Sequence, residues 1–302
     1  DDNNFLYSTD EVTNAVVASY DVSDLTDIKE LDQFRANPGT NSIPHNTFVR
    51  GDFLVTAYYR DGVVITDATH PDNMIKTGEY DTSPLAGNGF NGAWGAWPYL
   101  PSGNIIVSDM EQGLFILGPT YVKACYLDGL VTDAGTGAPL FGAEVSFTAV
   151  GAIDATTALT GTYMTGTPTA GTYDITFSKL GYLPTTIFGV ALSNGVSTTV
   201  NAELEALPTY EVSGMVTDLA TGSGVPNANV LLANDIYSFE GITDAEGNFT
   251  LIGVLEDSYT LYAGKWGYVT NDADFDVTAG DDLSLEIWKG YYDDFIFDQG
   301  WT

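Results

Sequence analysis

The chain repeats itself with two unrelated periods, and that confines it to modular β architectures in which each unit buries its faces against its neighbours. Between Asn3 and about Pro119, Phe5-Leu6-Tyr7-Ser8-Thr9-Asp10 returns as Phe53-Leu54-Val55-Thr56-Ala57-Tyr58 and again as Ile105-Ile106-Val107-Ser108-Asp109-Met110, at offsets of 48 and 52. Each copy runs on into a second strand, within residues 15–21, 62–67 and 113–117, and the first two share a turn and a further strand within 24–34 and 71–80. Short strands at this period are the mark of propeller blades. At most three blades are visible, whereas propellers close with about four to eight. The expectation for residues 1–120 is therefore the last two to three blades of a β-propeller, its remaining blades coming from the same parent chain or from a partner chain.

A second repeat begins after Tyr121. Gly129-Leu130-Val131-Thr132-Asp133 returns as Gly214-Met215-Val216-Thr217-Asp218, and Gly142-Ala143-Glu144-Val145 as Asn227-Ala228-Asn229-Val230, both at an offset of 85. Tyr173 and Lys179-Leu180-Gly181-Tyr182 return as Tyr259 and Lys265-Trp266-Gly267-Tyr268, offset by 86. Alternating runs such as Tyr173-Asp174-Ile175-Thr176-Phe177 lie between Gly, Pro and Asp turns, as a β-sandwich requires. The reading is two tandem immunoglobulin-like, transthyretin-like sandwiches over 121–207 and 208–289 in an all-β chain. Residues 290–302, aromatic and acidic, read as a linker or the opening strand of a further module, which with the broken propeller points to an internal piece of a larger polypeptide.

Two family resemblances follow from these residues. Pro44-His45-Asn46, the run from Tyr59 to Asp67, Gly89-Phe90-Asn91-Gly92-Ala93-Trp94-Gly95 and Leu100 to Asp109 resemble the propeller of the bacterial choice-of-anchor B family, whose repeats carry a Leu-Val-Ile-Val-Asp-like strand. That resemblance implies a secreted or surface-anchored protein. The tandem copies resemble the carboxypeptidase regulatory-like domain, a seven-stranded sandwich. The second copy carries the motif from Val212 to Asp218, Gly224 to Val230, Thr243-Asp244-Ala245-Glu246-Gly247-Asn248-Phe249-Thr250-Leu251 and Gly267-Tyr268. The first lacks the Thr-Asp-x-x-Gly-x-Phe hairpin, so residues 146–170 depart from the pattern.

Charge narrows the partners. With 41 acidic against 9 basic residues the formal net charge is −32, which repels phosphate backbones and anionic lipids. Nucleic acid and membrane insertion are excluded as expectations; other surface proteins and glycans remain as partners. Such an acidic surface suits a salty extracellular medium or bound divalent cations. A single cysteine, Cys125, allows no internal disulfide and reads as a small apolar residue. No apolar stretch reaches membrane-span length, and the start at Asp1-Asp2-Asn3-Asn4 carries no leader, so any signal peptide is expected to have been removed.

The supply of catalytic groups is thin. Only two histidines are present, and a nucleophile needs a base beside it and a group to orient that base. His70, in His70-Pro71-Asp72, reads as a turn residue. His45, with Asn46, has two readings: a ligand-binding group facing the propeller channel, joined at its mouth by Trp94, Trp97 and Asp109, or a hydrogen-bonded tie between blades. Calcium takes six to eight oxygens, and two clusters supply them. Asp244, Glu246 and Asn248 surround Gly247, where a plain hairpin turn is the competing reading. Asp272, Asp274 and Asp276 alternate along a strand, where a solvated, aggregation-resistant edge is the alternative. Calcium is the one cofactor in view.

Three functions fit these residues. The first is a non-catalytic secreted or cell-surface scaffold or adhesion protein, with the propeller for recognition and the sandwiches as spacers. The second is an accessory region of a large secreted hydrolase such as a peptidase, and the third a subunit of an extracellular fibre.

Overall fold

The computed structural model describes residues 4–147, 155–277, 282–290 and 296–297. Among these residues every regular element is a strand. The segment Tyr291-Tyr292-Asp293-Asp294-Phe295, read as the start of a further module, lies outside them, as does 148–154. The chain divides into two compact units, Asp1–Glu205 and Ala206–Thr302.

The first unit opens with three antiparallel meanders. Strands β1 (Phe5–Thr9), β2 (Val17–Asp21) and β3 (Lys29–Phe34) form one sheet. Strands β4 (Thr47–Arg50), β5 (Phe53–Ala57), β6 (Val63–Asp67) and β7 (Ile75–Tyr80) form the second, and β8 (Ala93–Trp97), β9 (Ile105–Asp109) and β10 (Gly113–Leu117) the third. None closes into a barrel. The central strands of the middle sheet are buried on both faces, which is why every residue of β6, Thr66 and Asp67 included, is buried and the strand shows no apolar–polar alternation. Leu54 and Val64 pack with Val17, Phe34 and Met74 towards the first sheet. Val55, Ala57, Val63 and Ile65 pack with Ala93, Ala96, Ile105 and Val107 of the third.

This packing corrects the repeat register. An offset of 52 makes Val55 the counterpart of Val107, yet the two meet across one interface from facing sheets. The counterparts that share a face are Val55 and Ile106, Ala57 and Ser108, Val63 and Leu114, and Ile65 and Ile116, each separated by 51 residues. A slip of one residue sends every side chain to the opposite face, so an alignment on residue type alone inverts the sheet.

The first sandwich follows. Strand β11 (Cys125–Asp133) lies between β14 (Thr162–Thr167) and, in parallel, β17 (Ser197–Thr199) and β18 (Ala202–Leu204). The facing sheet joins β12 (Glu144–Phe147), β13 (Ala155–Thr156), β15 (Gly171–Ser178) and β16 (Thr185–Leu192) in the order β13-β12-β15-β16. Leu127, Val131, Val145, Phe147, Ile175 and Phe177 fill the space between. Cys125 is the first residue of β11; its thiol is buried, and burial pushes its pKa up.

The second unit is the second sandwich. Its strands are β19 (Thr209–Asp218), β20 (Asn229–Ala233), β21 (Ser238–Ile242), β22 (Asn248–Leu255), β23 (Asp257–Gly264), β24 (Tyr268–Val269), β25 (Asn271–Val277) and β26 (Leu285–Lys289). They form sheets β22-β19-β26-β24 and β21-β20-β23-β25 around Val216, Val230, Leu232, Phe249, Leu261 and Ile287.

The repeated motif residues perform the same work in both sandwiches. Gly129 and Gly214 lie where the neighbouring backbone comes closest: an added Cβ would strike the Val200 carbonyl and the Tyr163 ring in one, and the Leu283 carbonyl and the Phe249 ring in the other. Asp133 and Asp218 cap the turn after the opening strand and accept the hydroxyls of Tyr182 and Tyr268 at 3.0 and 3.2 Å. Thr243 accepts the Ala228 amide and donates to the Val225 carbonyl, and Thr157 does the same with Ala143 and Leu140. The first copy therefore keeps the hairpin threonine although its sequence lacks the rest of that motif.

Within the first unit the apolar cluster between the second and third sheets ends near Tyr121 and the sandwich core begins at Cys125. A polar staple joins them. The fully buried Asp67 carboxylate accepts the Thr69 amide at 2.9 Å and hydroxyl at 2.5 Å on Oδ1, and the Ala124 amide at 2.7 Å on Oδ2. Lys123 Nζ lies 3.7 Å from Asp67 and 2.6 Å from Asp52. Asn73 Nδ2 donates to the Thr165 carbonyl at 2.9 Å, and the His70 ring packs edge-on to Tyr126 with centroids 4.4 Å apart. His70 therefore sits in its turn and also meets the sandwich.

Candidate functional site

The three meanders converge on His45. The residue enters β4 with its amide donating to the Ala57 carbonyl, and its own carbonyl accepts Thr9 Oγ1 at 2.8 Å. Its Nδ1 meets the Trp94 carbonyl, and Nε2 lies 2.8 Å from Glu11 Oε1. Both nitrogens thus face acceptors. Glu11 belongs to the first meander, His45 to the second and Trp94 to the third, so one imidazole ties all three. The adjacent Asn46 is half-buried, with its Oδ1 enclosed and without a hydrogen-bond partner.

An aromatic cluster surrounds this tie. Trp94 occupies a bulge between Ala93 and Gly95, which re-aims its side chain. Its ring lies 4.4 Å from the His45 ring and 6.0 Å from that of Tyr59. Tyr59 is held at φ 43° and paired on both backbone sides with Ala93; burial and the neighbouring Glu11 carboxylate push its hydroxyl pKa up. Phe90 packs edge-on to Tyr59 at 5.4 Å. A second group adjoins through β4 and β8: Trp97 lies 5.5 Å from Phe48 and 5.0 Å from Tyr99. Trp94 and Trp97 remain 48% and 49% exposed, with Tyr99 and Phe90 also open to solvent.

Of the residues singled out from the sequence, His45 and Trp94 are brought together, and Trp97 joins a neighbouring aromatic group. Asp109 is used elsewhere: it is buried, with its carboxylate accepting the Thr82 hydroxyl at 2.7 Å and the amides of Glu111 and Gln112 at 2.9 and 2.7 Å. Glu11, Phe48, Tyr59, Phe90 and Tyr99 are contributors that sequence reasoning missed. None occupies a repeated position, and only the Gly89-Phe90 and Trp94-Gly95 pairs hinted at an irregular backbone.

The oxygen clusters have local partners. Asp244 Oδ1 accepts the amides of Asn248 and Glu246 at 2.8 and 3.0 Å, and the Asn248 amide leads the interactions that hold its pKa below the usual carboxylate range. Gly247 closes the hairpin at φ 86°. Asp272, Asp274 and Asp276 share the exposed face of the edge strand β25. There Asp274 and Asp276 accept the hydroxyls of Thr260 and Ser258 at 2.7 and 2.6 Å. Among the described residues no group of three or more His, Cys, Asp or Glu side chains is placed to hold a metal ion, and no helix is long and apolar enough to cross a membrane.

No curated protein matches the chain. Among solved structures, a streptococcal ancillary pilin aligns at 14% identity over 72% of this chain and 82% of its own, with a TM-score of 0.37. A minor pilin of Streptococcus agalactiae aligns at 13% over 56% and 98%, TM-score 0.35. A shaft pilin of Lactobacillus rhamnosus aligns at 14% over 57% and 99%, TM-score 0.33. The family model of the carboxypeptidase regulatory-like domain matches residues 127–205 and 211–287, together more than half of the sequence. The glycines, turn aspartates and partner tyrosines described above are what those two matched segments share, and the chain belongs to the carboxypeptidase regulatory-like domain family.

Proposed function

We propose that this chain is a non-catalytic part of a secreted bacterial surface protein, in which the meanders are propeller blades and the exposed aromatic cluster binds a glycan. In this reading the sandwiches are spacers that hold the recognition face away from the cell. The observation that carries it is two half-exposed indoles: Trp94 at the His45 tie where the three meanders meet, and Trp97 packed with Phe48 and Tyr99 in the adjoining group. Solvent-exposed aromatic groups of this size mark interaction sites. A pyranose ring presents C–H faces that stack on indoles and hydroxyls that bond to polar neighbours, here Glu11. The net charge of −32 favours neutral sugars over anionic ones.

The other titratable side chains in reach support binding over turnover. His45 is engaged on both nitrogens and Asp109 by a turn, so neither offers a free base beside a nucleophile. A screen against immobilised neutral polysaccharides tests the reading, with a Trp94→Ala/Trp97→Ala variant as the control. The variant keeps the Trp94 carbonyl that His45 Nδ1 meets and loses the ring packing against His45. Binding by the native chain that the variant loses supports the proposal; equal behaviour of the two refutes it.

A further inference from the structure

Strand β8 reads Ala93-Trp94-Gly95-Ala96-Trp97, an alanine–tryptophan pair repeated at an interval of three residues. In a regular strand residues three apart point to opposite faces. Here Ala93 and Ala96 are both buried in the cluster against the second sheet, because the extra residue at the bulge between Ala93 and Gly95 restores the phase. Trp94 and Trp97, each one step further on, come into phase by the same slip, and both stay half-exposed. Each indole is braced from the second meander at the matching interval: the Trp94 ring lies 4.4 Å from that of His45, and the Trp97 ring 5.5 Å from that of Phe48. Tyr59 and Tyr99 add edge-on contacts at 6.0 and 5.0 Å, and the Tyr99 hydroxyl donates to the Val49 carbonyl. Rings held in this way lose little freedom when a ligand stacks on them.

We propose that Trp94 and Trp97 are two separate stacking subsites of one track, which takes an extended, unbranched, β-linked run of neutral sugars with one ring on each indole. The inference rests on reading the aromatic cluster as a glycan site. Three residues of strand advance about 10 Å, an interval longer than one pyranose ring, so a single sugar does not cover both platforms. Both platforms lie along one short strand, and the ligand that follows it is straight. A coiled α-linked chain turns away from the second indole. Glu11, its carboxylate partly open to solvent beside the His45 tie, accepts hydroxyls of the sugar on Trp94. Because the second sugar arrives on the same molecule as the first, joining the subsites raises affinity without a new kind of contact.

Calorimetric titration of the full chain with sugars of graded length tests the proposal. The probes are cello-, manno- and chito-oligosaccharides from the monosaccharide to the hexasaccharide, with malto-oligosaccharides of the same lengths for comparison. Affinity for at least one β-linked series is expected to step up by about tenfold or more once the chain reaches both indoles, and then to level off. Trp94→Ala or Trp97→Ala alone is expected to remove the step and leave the affinity of the short sugars. Trp94→Phe and Trp97→Phe keep a ring in each place and are expected to keep the step, which separates loss of a platform from loss of the fold. Affinity that does not change with length, or a step that survives either alanine variant, overturns the pair of subsites; malto-oligosaccharides bound as tightly as the β-linked chains overturn the extended ligand. In those cases sugar is still bound, and the glycan reading stands. Absence of heat with every series overturns the proposal, and a polysaccharide screen that is also negative refutes the glycan reading with it.

Discussion

Replacing Asp67 with alanine tests whether the meanders and the first sandwich are truly one body. Asp67 bonds to both the turn after β6 and the lead-in to β11 through one carboxylate. In the variant the Ala124 amide loses its acceptor in a buried place, which costs about 1–3 kcal/mol. The Thr69 bonds at the turn add about 0.5–1.5 kcal/mol. Lys123, with a side chain 32% exposed and Asp52 still beside it, adds less than about 1 kcal/mol after solvent screening. The sum is about 1.5–5.5 kcal/mol, or a fall in midpoint of about 3–20 °C for a unit of this size. Calorimetry of the full chain reads the shift in the first unit's transition, and hydrogen exchange at Ala124 reads the staple itself. Asp67→Asn, which keeps one carbonyl acceptor, is expected to fall between the native chain and the alanine variant. A midpoint moved by less than about 2 °C, with Ala124 still protected, would show that the junction is held by something else.

Other expectations concern the sandwiches. Gly214→Ala sets a Cβ against the Leu283 carbonyl and the Phe249 ring and should cost about 1–3 kcal/mol in urea unfolding of the second unit; Gly129→Ala should do the same in the first, and a neutral result in both would refute the close-approach argument. The Thr136 hydroxyl and amide hold Asp133 below the usual carboxylate range. Its contribution is therefore complete above the unfolded value of about 3.9 and is lost as pH falls through the lower folded value. Asp133→Asn should blunt the acid loss of stability below about pH 4, and an unchanged pH profile would count against it.

How much was legible follows from the kind of signal each feature leaves. The sandwiches announced themselves because their glycine, aspartate and tyrosine positions serve the same backbone contacts in both copies, so the residues recur with their spacing. The meanders were legible as strands, but their relative facing was not: β5 and β6 are buried on both sides, and a strand buried on both faces carries no alternation to fix the register. The aromatic cluster was half visible. Trp94 and Trp97 stand out by type, whereas Glu11 comes from the first meander and Phe48 and Tyr59 from the second, at positions that no repeat marks. The staple at Asp67 left no trace either, since the same aspartate ends a repeated strand at Asp21, where it caps only its own turn.

Binding without turnover is the central claim, and one calorimetric titration addresses it directly. Native chain and the Trp94→Ala/Trp97→Ala variant are titrated with a neutral oligosaccharide selected from the polysaccharide screen, and the sugar is recovered afterwards for mass analysis. The account predicts saturable heat with the native chain, none with the variant, and sugar recovered at its original length. Heat that survives loss of both indoles, or shortened sugar in the recovered material, would contradict it.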